Sequence, residues 1–392
     1  MTPEKDITRL RKNAPSGDRA AWLECINPDC GALRAITDTP GHCPECGELM
    51  DVRYDWKKKK RPKTLLGFEK KYATRRNPLD FSGVWRFRAL LDFAPESSIV
   101  TIGEGQTLFR SAGSAHQYAG MTDGSLFFQY EGLNPTGSFK DNGMAGAFTH
   151  AKLTGATHAC CASTGNTSAS MAAYARGAGM DCTIFIGDGK IAMGKLSQAL
   201  DYGGRTLQIV GGYFDDAMKR VQEAAAKLKL YLVNSINPFR LEGQKTIMYR
   251  VLEGMNWQVP DWIVCPGGNL GNSSSFGKAF RELYELGLID KLPRLAIINS
   301  TGAPTLNILY NEKKLRWNGG RYDKRLVSEY WKWMDENRVD ANTIASAIEI
   351  NRPVNLSKAL RALDWLNGEV RAVSEEAILD AKAQVGLQGI GS

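Results

Sequence analysis

The sequence predicts an α/β protein with two open, mostly parallel sheets, and three observations carry that expectation. The chain is 392 residues long, more than one ordinary core accommodates. From about residue 81 onward, short apolar runs alternate with helical patterns, the signature of βαβ connectivity. Several of those runs are followed by loops rich in Gly, Ser, Thr and Asn that open a helix, and ligands of open α/β sheets bind beyond the C-terminal ends of strands.

The elements follow in order. Residues 1–20 read as a polar tail. Residues 21–56 form a cysteine-bearing module that ends in the β-like run Leu49–Tyr54. Residues 57–80 are a basic connector punctuated by Pro62 and Pro78. Strands are predicted at Ser125–Tyr130, His158–Ala162, Asp181–Ile186, Thr206–Val210, Leu230–Val233, Asp261–Cys265 and Leu295–Ile298. Helices are predicted at Met144–Leu153, Ser168–Ala178, Phe214–Lys229 and Ser273–Leu286.

With 43% hydrophobic and 23% charged residues, the composition is that of a globular protein. No run is long and apolar enough for a membrane helix. The charged stretch Met1 to Asn13 lacks an apolar signal core, which points to the cytoplasm. The net charge of +8 is local, because ten Lys/Arg against the single acid Glu69 lie between Lys57 and Arg76. A solvated linker is the plain reading of that run; contact with phosphate or nucleic acid is the sharper one.

Four of the eight cysteines fall in Cys25-x4-Cys30-x12-Cys43-x2-Cys46. Four thiolates with turn residues Gly31, Pro44 and Gly47 between them suit a tetrahedral structural zinc with no open catalytic position. His42 is an alternative ligand. Cys160, Cys161, Cys182 and Cys265 sit in apolar runs and read as core residues.

Four stretches carry chemistry. In Glu131-Gly-Leu-Asn-Pro-Thr-Gly-Ser-Phe-Lys140-Asp-Asn-Gly, a turn places Lys140 at a helix start beside apolar Phe139. Both surroundings disfavour the ammonium and favour a neutral amine that attacks an aldehyde. Taken alone, Lys140 reads more readily as a capped surface lysine. In Ser163-Thr164-Gly165-Asn166-Thr167-Ser168, hydroxyls and helix-start N–H groups suit a carboxylate, or serve as an ordinary N-cap. Asn234-Ser235-Ile-Asn-Pro-Phe-Arg240 offers a guanidinium fork for phosphate or carboxylate, or a surface ion pair. Gly267-Gly268-Asn269-Leu270-Gly271-Asn272 can wrap a phosphate at a helix N-terminus, or be a plain turn. It matches neither the Walker A nor the dinucleotide spacing.

In this order the four stretches resemble the fold-type-II pyridoxal-phosphate (PLP) enzymes, and within them the threonine synthases that carry a zinc-ribbon-like N-terminus. Gly83-Val-Trp-Arg-Phe-Arg, Gly103-Glu-Gly-Gln-Thr, Gly194-Lys-Leu-Ser-Gln-Ala-Leu and Thr343-Ile-Ala-Ser-Ala-Ile extend the match. The resemblance implies a small zinc-ribbon-like module, a large PLP-binding domain over 81–140 and 236–392, and a small α/β domain over 141–235. It implies that Lys140 holds the cofactor and later shuttles protons, that Asn166 bonds the cofactor's ring hydroxyl, and that Gly267 to Asn272 cradle its phosphate. Ser163, Thr164 and Thr167 then hold the substrate carboxylate, and Asn234, Ser235 and Arg240 the substrate phosphate. The implied reaction converts O-phosphohomoserine and water to threonine and phosphate, in a homodimer. Two departures stand out. The family's usual Lys-Asp-Arg is Lys140-Asp141-Asn142 here, and the family continues past the point where this chain ends, with a segment that includes the hydroxyl partner of the pyridine nitrogen. Threonine/serine dehydratase and cysteate synthase acting on phosphoserine are the alternatives within the fold. A zinc-ribbon nucleic-acid-binding protein is the alternative outside it, and it leaves every strand-end loop without a purpose.

Overall fold

The computed structural model describes residues 21–39, 41–58, 61–74, 76–187, 193–210 and 214–391; the expected tail at 1–20 lies outside them. The cysteine module is a three-stranded antiparallel sheet of β1 (Ala21–Cys25), β2 (Leu33–Ala35) and β3 (Met50–Tyr54), with β1 in the centre. Alternation in β1 buries Ala21, Leu23 and Cys25, as a one-sided sheet requires. Strands β4 (Leu108–Ser111) and β5 (Phe127–Tyr130) pair antiparallel.

Helix α1 (Lys140–Leu153) then begins at the expected lysine and buries every residue from Asp141 to Ala151. Small residues all round the helix make that burial feasible. Next come β6 (His158–Ala162), α2 (Asn166–Ala178), β7 (Asp181–Gly187), α3 (Met193–Asp201), β8 (Arg205–Ile209), α4 (Phe214–Leu228), β9 (Tyr231–Leu232) and α5 (Pro238–Gly254). Strands β6 to β9 form one parallel sheet in the order β8-β7-β6-β9. Helix α2 ends on Gly179 in the left-handed conformation, the usual glycine stop.

Strand β10 (Trp262–Pro266), helix α6 (Gly271–Glu285) and β11 (Arg294–Ser300) follow, then α7 (Lys324–Glu336), α8 (Leu356–Trp365), β12 (Glu369–Val373) and α9 (Glu375–Gly386). Strands β10, β11 and β12 form a second parallel sheet with β11 central. Ser374 caps α9 by accepting from the Ala377 N–H at 3.2 Å. The expected α/β class and both parallel sheets are present; β4 and β12 are strands that the apolar pattern does not announce.

The chain divides into two compact units. One comprises residues up to Ile26, Cys30–Gln106 and Leu133–Ile247; the other comprises Asn27–Asp29, Thr107–Gly132 and Met248 onward. These units cut the chain at other points than the expected domains, since 81–106, 133–140 and 236–247 pack with the span 141–235. In the first unit the core holds Trp85, Phe87, Phe93, Phe148, Tyr174 and Phe239. Cys160, Cys161, Cys182 and, in the second unit, Cys265 are buried, the core placement expected of them. Helices α1 and α5 approach closely enough that backbone meets backbone at two glycines. A Cβ on Gly243 would lie 1.8 Å from the Asn142 carbonyl oxygen, and one on Gly146 would lie 2.3 Å from that of Phe239.

The cysteine module is seated on the first unit by buried polar contacts. His150 on α1 contacts the Ile36 carbonyl through Nε2 at 2.8 Å and the Tyr231 hydroxyl through Nδ1 at 2.7 Å. A carbonyl only accepts, so Nε2 carries the proton and the Tyr231 hydroxyl donates to Nδ1. The ring stacks on Phe239 at 3.5 Å. Burial pushes the His150 pKa down to about 3, so the imidazole stays neutral. Tyr54 of β3 donates to Glu242 at 2.5 Å, and Lys245 pairs with the same carboxylate oxygen at 2.7 Å.

Candidate active site

Within the first unit the lysine loop is built from the turn Asn134-Pro135-Thr136-Gly137, closed by the Gly137 N–H donating to the Asn134 carbonyl at 2.8 Å. Asn134 is itself fixed from outside, because its Oδ1 accepts from the Gly105 N–H at 2.9 Å. Asp141 anchors the other end of the loop. Its carboxylate accepts from the Thr136 N–H at 2.8 Å, the Thr136 hydroxyl at 2.6 Å and the Ser170 hydroxyl at 2.5 Å. Asn142 is buried, and its side-chain amide donates to the Phe139 carbonyl at 3.0 Å, so the residue in the arginine position supports the loop locally.

Lys140 is the first residue of α1. Its Nζ lies 3.7 Å from the centroid of the Phe139 ring. Part of the residue remains accessible, yet its surroundings desolvate the amine and, with repulsion from Arg240, pull its pKa down to about 7. An amine with that pKa is about half neutral at pH 7.

Arg240 is buried in the same unit. It donates from Nη1 to the Val233 carbonyl at 2.9 Å, and its Nε has no partner among the described residues. Burial lowers its pKa to about 10, which leaves it charged near neutrality. Asn234 is buried and holds the end of β6: its Oδ1 accepts from the Ala162 N–H at 3.0 Å and its Nδ2 donates to the Ala162 carbonyl at 2.9 Å. Ser235 is half-buried between Asn234 and the buried Ile236.

Beyond β6, Ser163 accepts from the Gly165 N–H at 3.2 Å. Thr164 is half-buried, and Asn166 and Thr167 form the first turn of α2, whose N-terminus has no side-chain cap. The Asn166 Oδ1 is buried and has no partner among the described residues. Lys140, Ser163, Thr164, Asn166, Thr167, Asn234, Ser235 and Arg240 thus all belong to one unit.

The glycine loop, Gly267 to Asn272, belongs to the second unit and joins β10 to α6. The Gly267 N–H donates to the Ile298 carbonyl at 2.7 Å. Its carbonyl accepts from Asn299 Nδ2 at 2.7 Å. The Asn269 carbonyl accepts from the Asn355 backbone N–H at 3.2 Å. Leu270 takes the left-handed conformation, φ 62°, and α6 starts without a side-chain cap. The Asn272 Oδ1 is buried and has no partner among the described residues. Ala347 and Ile348, from the Thr343-Ile-Ala-Ser-Ala-Ile stretch, lie against Gly268.

In the cysteine module the four Sγ atoms of Cys25, Cys30, Cys43 and Cys46 lie within 4.8 Å of one another. Sequence reasoning passes over Glu104, whose buried carboxylate gathers the Ser82, Thr101 and Tyr174 hydroxyls and the Ile102 N–H; its signal was an acid flanked by two glycines. It also passes over Lys195, which donates to the Thr136 carbonyl at 2.8 Å, and over Asn299, a polar residue just past the apolar run Leu295–Ile298.

The model of the pyridoxal-phosphate dependent enzyme family matches residues 100–391. The chain is 38% identical to a threonine synthase of Methanocaldococcus jannaschii over 358 residues, covering 91% of this chain and 80% of the relative. It is 36% identical to the chloroplastic threonine synthase 2 of Arabidopsis thaliana over 397 residues, covering 98% of this chain and 73% of the relative. The crystal structure of threonine synthase from Escherichia coli superposes with a TM-score of 0.66 at 16% identity, covering 95% of this chain and 82% of that one, a likeness of fold.

Proposed function

The chain belongs to the pyridoxal-phosphate dependent enzyme family, and from that premise we infer that it is a threonine synthase, converting O-phosphohomoserine and water to threonine and phosphate. The observation that carries this reading is the likeness to threonine synthases across nearly the whole chain. The residues present fit the cofactor. A desolvated lysine amine, an orphaned Asn166 oxygen and an uncapped helix start behind a glycine loop answer its aldehyde, its ring hydroxyl and its phosphate in turn. Lys140, Asn166 and the loop Gly267 to Asn272 are the residues that would hold it. Bound there, PLP supplies an electron sink for the charge that develops at the substrate Cα.

The chain's own groups do the rest. Lys140, with a pKa near 7, takes protons from Cα and Cβ and returns them at Cγ, once phosphate has left it, and at Cα, close to neutral pH, where a general base is most effective. Ser163, Thr164 and Thr167 hold the substrate carboxylate beside the start of α2. Arg240 and Ser235 hold the phosphate that leaves Cγ, with Asn234 fixing their segment against β6. A buried guanidinium that stays charged stabilises the leaving dianion more strongly than one in water. Water then adds at Cβ.

Four cysteines at mutual tetrahedral reach also fit a structural zinc with Cys25, Cys30, Cys43 and Cys46 as ligands. The purified chain is expected to contain about one zinc per molecule, read by elemental analysis. Among the described residues no helix is long and apolar enough to cross a membrane, and the reading places the enzyme in the cytoplasm as a homodimer.

The test is threonine and phosphate formation from O-phosphohomoserine with added PLP. The two products should appear in step, Lys140→Ala should abolish both, and Arg240→Ala should weaken the phosphorylated substrate far more than PLP. Full activity in Lys140→Ala would overturn the assignment.

A further inference from the structure

The glycine loop follows β10, but the contacts that set its shape come from the neighbouring strand. Asn299 lies near the C-terminal end of β11, just past the apolar run Leu295–Ile298, and is buried. Its Nδ2 donates to the Gly267 carbonyl at 2.7 Å, and its Oδ1 accepts from the Asn307 N–H at 2.9 Å. The second bond fixes the orientation of the amide, because only an oxygen can accept from that N–H; the side-chain nitrogen must therefore face Gly267. The chain of asparagines continues. Asn311 Nδ2 donates to Asn307 Oδ1 at 2.8 Å and to the Val370 carbonyl on β12 at 2.8 Å. There is no slack at Gly267, where a Cβ would lie 2.7 Å from Asn299 Nδ2 and 2.8 Å from the Ile297 Cγ2.

Both backbone polar groups of Gly267 are thus turned toward β11, the N–H to Ile298 and the carbonyl to Asn299. With that carbonyl tied back, the loop can leave the strand at Gly268 without presenting an acceptor oxygen toward an anion. The next carbonyl held, that of Asn269, is drawn toward Asn355. An anion site made of backbone donors works only if neighbouring carbonyls are turned away from it. We propose that Asn299 is a positioning residue for the cofactor phosphate, acting through the Gly267 carbonyl to keep the loop's acceptors turned away from that phosphate. The proposal rests on the assignment of Gly267 to Asn272 as the phosphate loop.

The test compares PLP with pyridoxal, which lacks the phosphate, by absorbance titration of the cofactor-free chain. Asn299→Asp keeps the shape and the acceptor to Asn307 but replaces the donor to Gly267 with an oxygen. It is expected to weaken PLP binding on the order of ten-fold and to leave pyridoxal binding unchanged. Asn299→Ala, which removes the donor without adding charge, is expected to show the same selectivity and serves if the aspartate variant does not fold. Equal weakening of both ligands, or no weakening of either, would overturn the proposal. If the unsubstituted chain binds PLP no better than pyridoxal, the assignment of the phosphate loop itself fails, a separate result.

Discussion

Raising the pH from 7 to 9 should stabilise the cofactor-free chain more than it stabilises a Lys140→Met variant. The folded Lys140 amine has a pKa of about 7 against an ordinary 10.5, with burial as the leading cause and Arg240 as the second. Between those values the unfolded chain holds a proton that the folded chain has released. Folding therefore expels a proton, and stability climbs with pH across that window. Each full unit of the window is worth about 1.4 kcal/mol. At pH 7 the folded amine is still half protonated, so the interval from 7 to 9 yields about 2 kcal/mol. Urea unfolding of both proteins without cofactor, at pH 7, 8 and 9, reads the difference directly. Parallel pH dependences in the two proteins would mean that the amine is ordinary, and the account of its reactivity would collapse with it.

The same reasoning applied to His150 gives an effect on the acid side. Its folded pKa of about 3 lies below the ordinary 6.5, so the unfolded chain takes up a proton first and stability is lost as pH falls from 7 to 5. The loss should exceed that of His150→Phe by about 2 kcal/mol in thermal or urea unfolding; equal losses would refute burial of the neutral ring. Glu242→Leu leaves Lys245 charged and buried and should cost about 3–5 kcal/mol, most of it recovered by adding Lys245→Met. A double-mutant cycle showing no recovery would deny that the pair is coupled. Gly243→Ala drives a methyl into the Asn142 carbonyl and should lower stability by at least about 1–3 kcal/mol while weakening PLP binding. An unchanged melting temperature and cofactor affinity would show that the two helices can separate freely.

Much of this was legible in the sequence because the signals were local. A strand run followed by a Ser/Thr/Gly turn and a helical pattern located the loops after β6 and β10 to within a residue or two. The Asn-Pro-Thr-Gly turn placed Lys140 at a helix start for the same reason. What stayed hidden is carried by contacts distant in sequence. Nothing near Glu104 announces Ser82 and Tyr174, and nothing near Asn299 announces Gly267. The two-unit partition is equally illegible, since the packing of 81–106 with 141–235 has no local signature. Asn234 shows the converse: its place beside Arg240 was readable, but the clamp on Ala162 was not.

The bare crossing of α1 and α5 restricts how the enzyme could be re-engineered. Lys140 opens one of these helices and Arg240 rides on the other, and backbone touches backbone at Gly146 and Gly243. At those two glycines a side chain would have to displace backbone to enter, which resists sliding one helix along its partner. The spacing between Lys140 and Arg240, the base and the phosphate-binding cation of the proposed reaction, is therefore a fixed ruler, inherited by any variant that folds. Acceptance of longer or shorter substrates must come from the loops after β6 and β9, where backbone can change length without forcing the ruler.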